Sequence, residues 1–274
     1  MKRLSKSHTK ITRGGLSQVS IHLPSPTGAV LTKVLDYING NNEIKALWKV
    51  MNVNAIDRLE MTDHGPTHFQ IVAGNAIKMA RIFEKKGIRF SVVRDFALTD
   101  DHAETVIFLT SIMHDLGMSI HREGHEEFSL FLSNRLLHEI LSFLPVEEKV
   151  VLTSEVLHAI ISHRRFGQPL TIEAGIVRIA DALDMSKGRS RIPYNRGIID
   201  IHSVSANAIE SVEIAEGEIR PVEIKIHMTN PAGIFQVDDL MQEKLKGSGI
   251  EKYIKVSAYL VEGGHEKLFK EFVL

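Results

Sequence analysis

The sequence predicts a mainly α protein, a helical bundle followed by a small C-terminal α+β unit of ββαβ order. Three observations carry that prediction. Apolar residues recur at helical spacing from about residue 30 to about residue 183. Helix-starting and helix-ending residues fall between those runs. After about residue 200 the pattern changes to alternating, β-branched stretches.

Taken in order, residues 1 to about 28 are polar and broken by Gly and Pro, with a short strand expected around Val19 to Leu23 before Pro24-Ser25-Pro26. Val34, Leu35 and Ile38, then Ile44, Leu47, Trp48 and Met51, suggest two short helices interrupted at Gly40-Asn41-Asn42. Pro66 suits a first helical turn, and Phe69, Val72, Ala73, Ala76, Ile77, Ala80 and Ile82 trace one face until Gly87. Asp100 or Asp101 is expected to cap the next helix, which carries Val106, Ile107, Leu109 and Ile112 and ends at Gly117. His125 to Phe143 is periodic, Pro145 opens a helix reaching about His163, and Thr171 with Glu173 starts one running to Leu183. Ser211 to Ile214, Val222 to Ile226 and Tyr253 to Val261 read as strands, with one helix over Phe235 to Leu245. The expected division is 1–55, an N-terminal extension with short helices; 56–198, the helical core; and 199–274, the α+β domain.

Composition narrows the chemistry. The 274 residues are 43% hydrophobic and 24% charged with mean hydropathy −0.02, which is ordinary globular composition. The 33 basic residues nearly cancel the 34 acidic ones, so no global field points to nucleic acid or an anionic membrane. The chain has no cysteine, which removes disulfides, thiolate metal sites and cysteine nucleophiles together. Histidine and carboxylate are left as the strong metal donors. The basic N-terminus is followed by no apolar segment of a signal peptide, and a cytoplasmic location is expected.

The chemistry centres on His114-Asp115 in LTSIMHDLG. Neighbours on a helix diverge by about 100°, so both side chains reach one ion only where the helix opens, and Gly117 provides that opening. A neutral imidazole with a carboxylate suits a divalent transition metal, and an aspartate with two oxygens can bridge two ions where a histidine cannot. Two ligands do not hold a catalytic metal. His68 in DHGPTHFQIV and Asp181 in VRIADALDM are candidate partners, since Asp181 within an apolar run is costly to bury without a cation, hydrogen-bond donors or a salt bridge.

His68, His114-Asp115 and Asp181 give the ordered pattern of a histidine, a His-Asp pair and a distant aspartate. In this the chain resembles the HD-domain phosphohydrolases over about residues 55 to 190. The resemblance implies an HD-domain helical bundle, one or two divalent ions (Mn, Fe, Co, Ni or Zn), and hydrolysis of a phosphomonoester or phosphodiester, of a nucleotide, by metal-activated water. His125 and His163 occupy settings similar to those of two further metal-binding histidines in the binuclear branch, which includes YqeK-type diadenosine tetraphosphate hydrolases and, more distantly, HD-GYP phosphodiesterases. The GYP element is absent, because His163 is followed by Arg164-Arg165-Phe166-Gly167. Asp115 and His114 are then the catalytic pair, with His68, His114, Asp115, His125, His163 and Asp181 as metal ligands.

His158 lies five residues before His163, about 140° around a helix, and is read as an ordinary packed histidine. His64 and His121 remain candidates for substrate contact or support. Arg122, Arg164, Lys187, Arg189 and Arg191 adjoin the metal ligands and are candidates for phosphate binding, although basic residues at helix ends commonly serve the helix dipole instead. The expected partners are a small phosphorylated substrate and a second copy bound through the C-terminal domain, with neither membrane nor nucleic acid. Rival readings are a non-catalytic metal- or nucleotide-binding regulatory protein and a di-iron oxygenase of the HD fold.

Overall fold

The computed structural model describes residues 19–164, 166–185, 201–238, 243–263 and 265–273. Helices α1 (Ala29–Gly40) and α2 (Asn42–Asn52) part at Asn41, whose extended backbone lets its side chain accept the N–H groups of Glu43 and Ile44. Their buried stripes, Leu31, Val34 and Ile38 followed by Ile44, Trp48 and Met51, face the bundle. A π-helical turn, Val53–Arg58, follows, and Asn54 there donates to the carbonyls of Met118 and Ser119 at 2.8 and 3.1 Å. Residues 29–58 thus brace the turn that comes after His114-Asp115.

Helix α3 (Pro66–Lys85) begins with Pro66, whose missing N–H is one the first turn leaves unbonded anyway. A short α4 (Ser91–Phe96) leads to α5 (Asp100–Met113), buried from His102 to Met113 and packed against α1 and α3. Then come a 3₁₀ turn (Leu116–Ser119), α6 (His125–Ile140), α7 (Val146–Ser162) and α8 (Ile172–Ala182); α7 and α8 also pack on α5. No helix among the described residues is long and apolar enough to cross a membrane.

Two caps differ from expectation. Thr99, not an aspartate, holds the N-cap of α5, with His102 Nδ1 facing its hydroxyl at 2.8 Å. Asp101 instead accepts the N–H groups of Val30 and Leu31 at 2.8 and 3.0 Å, so its carboxylate serves the start of α1. Glu173 likewise accepts from Val92 and Ser91 on α4, leaving Thr171 to cap α8 alone. Each carboxylate goes to a helix end that the fold, not the sequence, brings near. The strand expected around Val19 to Leu23 does not form either. The amide side chain of Asn39 bonds the N–H and carbonyl of Ile21, and Gln70 bonds those of His22, where a neighbouring strand would otherwise be required.

After α9 (Ile201–Asn207) the tail holds strands β1 (Ile209–Glu216) and β2 (Val222–Met228), short helices α10 (Gly233–Gln236) and α11 (Glu243–Leu245), and strands β3 (Ile254–Glu262) and β4 (His265–Val273). The sheet order is β1-β2-β3-β4. The single helix expected over Phe235 to Leu245 is represented by the end of α10 and by α11, and residues 239–242 between them lie outside the described residues. The expected ββαβ unit gains a fourth strand, because charged Glu266, Lys267, Lys270 and Glu271 mask the alternation of β4. Outer pairs are antiparallel, whereas β2 and β3 run parallel with Ile224 opposite Val256. A parallel pair requires a long crossover connection. Here that connection carries α10 and α11, and α11 packs on α8.

Candidate metal centre

Helix α5 stops at Met113. His114 keeps helical angles as C-cap, while Asp115 leaves them (φ −103°, ψ 8°), which allows adjacent side chains to face one cavity. The turn then docks on α6. A Cβ at Gly117 would lie 1.9 Å from the His125 carbonyl oxygen, so only glycine permits this approach. The Gly117 N–H donates to Ser129 Oγ, and that hydroxyl donates to the His125 carbonyl, each at 2.8 Å. His125 is thereby fixed beside the His-Asp pair. His68 comes from the first turn of α3, His163 is the C-cap of α7, and Asp181 lies in the last turn of α8.

These six residues meet. Nε2 atoms of His68 and His114 are 3.2 Å apart. Asp181 Oδ1 lies 3.6 and 3.7 Å from them, and Asp115 Oδ2 lies 3.8 and 3.4 Å from them. The second oxygen of Asp115, Oδ1, turns the other way, 3.1 Å from His125 Nε2 and 3.8 Å from His163 Nε2. Three overlapping groups could hold a metal ion: His68, His114 and Asp181; His114, Asp115 and His163; and His125, Glu126 and His163.

The remaining ring nitrogens are already engaged. Nδ1 faces Asp184 Oδ2 at 2.6 Å in His68, the Ser111 carbonyl at 3.0 Å in His114, the Arg122 carbonyl at 2.9 Å in His125, and the Ile160 carbonyl in His163. Carbonyl and carboxylate oxygens only accept, so Nδ1 carries hydrogen in His68, His114 and His163, and a neutral ring there turns its Nε2 lone pair inward, whereas at His125 Nδ1 the Arg122 guanidinium, a donor, also lies within 2.9 Å. With both rings neutral, two Nε2 lone pairs would face one another at 3.2 Å, a contact that a cation held by both residues would relieve.

Electrostatics keep the acids ionised. Burial opposes charge on Asp115, but His114, a hydrogen bond from His125 and the field of His64 hold its carboxyl well below the usual range. Burial also works against Asp181, and Lys244, His114, His68 and His163 hold it low. Burial pushes His114 down, yet Asp115 and Asp181 outweigh it and raise the ring. Burial, His114 and Lys244 push His163 down to about 3, so that ring is neutral and free to donate a lone pair.

The other candidate residues are more scattered. His121 is exposed beyond the 3₁₀ turn. Arg122 is also exposed, its guanidinium 2.9 Å from His125 Nδ1. Arg164 pairs with Glu127 at 3.2 Å. Lys187, Arg189 and Arg191 lie outside the described residues. His158 Nε2 accepts the Leu170 N–H at 3.0 Å, away from the cluster. His64 is buried with its ring centroid 6.0 Å from that of His68.

Three residues of the site escape sequence reasoning, the first being Glu126, which stands with His125 and His163 in one candidate metal group. Asp184, which orients His68, stands three positions after Asp181 in the same DALD run, and that spacing was its signal. Lys244, with Nζ 3.2 Å from Asp181 Oδ2, had none, because 63 residues separate it from its partner.

An HD domain matches residues 67–186, and this part of the chain belongs to the HD-domain superfamily, whose members are generally metal-dependent phosphohydrolases. It is 44% identical over 226 residues to Uncharacterized protein MJ1020 of Methanocaldococcus jannaschii, a stretch covering 82% of this chain and 87% of that protein. No solved structure matches the chain significantly.

Proposed function

We propose that this protein hydrolyses a phosphomonoester or phosphodiester, of a nucleotide, at two divalent transition-metal ions. The observation that carries the proposal is the division of labour on Asp115, one oxygen toward His68 and His114 and the other toward His125 and His163. On this reading His68, His114, Asp115 and Asp181 would hold one ion, and Asp115, His125 and His163 would hold the other. Imidazole with carboxylate accommodates manganese, iron, cobalt, nickel or zinc. Bound ions supply Lewis acidity toward phosphate oxygens and acidify water for the attack. The chain contributes orientation: Asp184 fixes the His68 ring, backbone carbonyls fix the other three, and ionised Asp115 spans both halves of the centre.

The test is phosphate release from a panel of nucleotides and phosphodiesters by protein reconstituted with manganese, iron(II), cobalt or nickel. Asp115→Ala should lose metal and lower activity by about a hundredfold or more. Equal activity in both proteins defeats the hydrolase reading. Metal bound without turnover favours a regulatory binding protein, and a mixed-valence iron signal favours oxygenase chemistry. We also propose a homodimer formed through the C-terminal sheet. Supporting it, β1 and β4 are outer strands of the described sheet, and Leu268 and Phe269 on β4 are exposed.

A further inference from the structure

We propose that Lys244 is a substrate-binding residue that engages a phosphate oxygen beside the metal centre, so that the C-terminal unit completes the active site. This deepens the hydrolase reading and rests on it.

Lys244 reaches the centre by topology. Its helix α11 lies on the crossover between parallel strands β2 and β3, and the Lys244 ammonium ends 3.2 Å from Asp181 Oδ2 while donating to the His163 carbonyl. Asp181 presents its other oxygen, Oδ1, to His68 and His114. The lysine therefore occupies the face of Asp181 turned away from those donor nitrogens and does not compete for the metal-facing atom. Its placement is also at a less buried edge of the cluster. The side chains of His68 and His114 have no exposure, whereas Asp181 is 17% and Lys244 15% exposed. A phosphate arriving from solvent meets the ammonium next to the carboxylate.

The backbone that carries Lys244 is held firmly. Arg178, 2% exposed on α8, donates to the carbonyls of Glu243 and Lys244 on one side and of Ser162, Arg164 and Gly167 on the other. One guanidinium thus fixes α11 and the loop after His163 relative to each other. The following segment is seated equally closely, since a Cβ on Gly175 of α8 would lie 2.5 Å from the Ser248 carbonyl oxygen. Preorganised ammonium groups beside a metal site neutralise phosphate charge without rearrangement.

The experiment uses full-length, manganese-loaded protein with inorganic phosphate as probe. Metal content is measured by mass spectrometry, phosphate affinity by calorimetry, and KM and kcat on whichever ester of the panel the wild-type protein cleaves fastest. Lys244→Met should retain wild-type metal content, bind phosphate about tenfold more weakly and raise KM, while Lys244→Arg stays within about threefold of wild type. Should Lys244→Met fail to fold, Lys244→Gln, which can still donate to the His163 carbonyl, is read in the same way. Unchanged phosphate affinity in a folded variant overturns the lysine proposal and leaves the hydrolase reading standing. Loss of metal in that variant also overturns it, since the lysine would then act through Asp181. A wild-type protein that holds metal but binds no phosphate and cleaves no ester overturns the hydrolase reading and the proposal with it.

Discussion

Asp184 stands 2.6 Å from His68 Nδ1, and the work of that contact is to aim the opposite nitrogen at the centre. Asp184→Asn preserves shape but removes the charge that makes His68 a stronger donor. Metal affinity should fall by about tenfold or more, measured by competition with a chelator, and unchanged affinity would deny Asp184 this role. Away from the centre, Glu155 on α7 has a buried Oε2 without a hydrogen-bond partner among the described residues. Burial, then the charges of Glu173 and Asp95, raise its carboxyl from 4.5 to about 7. The folded state therefore keeps a proton that the unfolded chain releases. Stability from this group is full below the unfolded value and is lost as pH rises through about 7. Because Glu155 is only half-buried, Glu155→Gln should stabilise the protein by about 1 kcal/mol at pH 8 and little at pH 4.5. Equal shifts in melting temperature at both pH values would contradict that cause.

Between elements, close approach and shared carbonyls do most of the positioning. Gly117→Ala would force the turn after the His-Asp pair away from α6, because the new Cβ would meet the His125 carbonyl oxygen at 1.9 Å. The expected cost is about 2 kcal/mol, and metal content should drop from two ions toward one as His125 moves. Full metal content in this variant would mean that α6 accommodates the methyl group without moving its histidine. Arg178 has a comparable role between α8, the loop after His163 and α11. Arg178→Met leaves five buried or partly buried carbonyls without their donor. A loss of about 3 kcal/mol in chemical denaturation is expected, and a loss below about 1 kcal/mol would show that water replaces the guanidinium.

Across the whole molecule, one buried apolar cluster runs from Ile21 through the helical bundle to Phe272 in the sheet. Phe83 near the end of α3 meets Tyr253 just before β3, with ring centroids 5.4 Å apart. The three segments that the sequence divides at residues 55 and 198 therefore share packing, and truncation before α9 would expose part of that core. For the dimer, Leu268→Glu with Phe269→Glu should convert the protein to monomer in size-exclusion chromatography with light scattering, without loss of metal. A wild-type protein already monomeric at tens of micromolar would end the dimer reading.

The sequence by itself determined the helical class, the starts of α2, α3 and α8, and the histidines and aspartates that converge. Period, cap and donor chemistry are local properties, so His114-Asp115, His68 and Asp181 could be singled out as candidates from their own surroundings, whereas His125 and His163 entered through the resemblance to the HD-domain family. Tertiary structure decided which cap serves which helix, since Asp101 and Glu173 bond elements 70 to 82 residues away in sequence. It also decided the division of Asp115 between two groups of donors, the parallel pairing of β2 with β3, and the arrival of Lys244 at Asp181. Those features depend on which surfaces the packed core brings within hydrogen-bond reach, and no periodicity or motif in the chain records that distance.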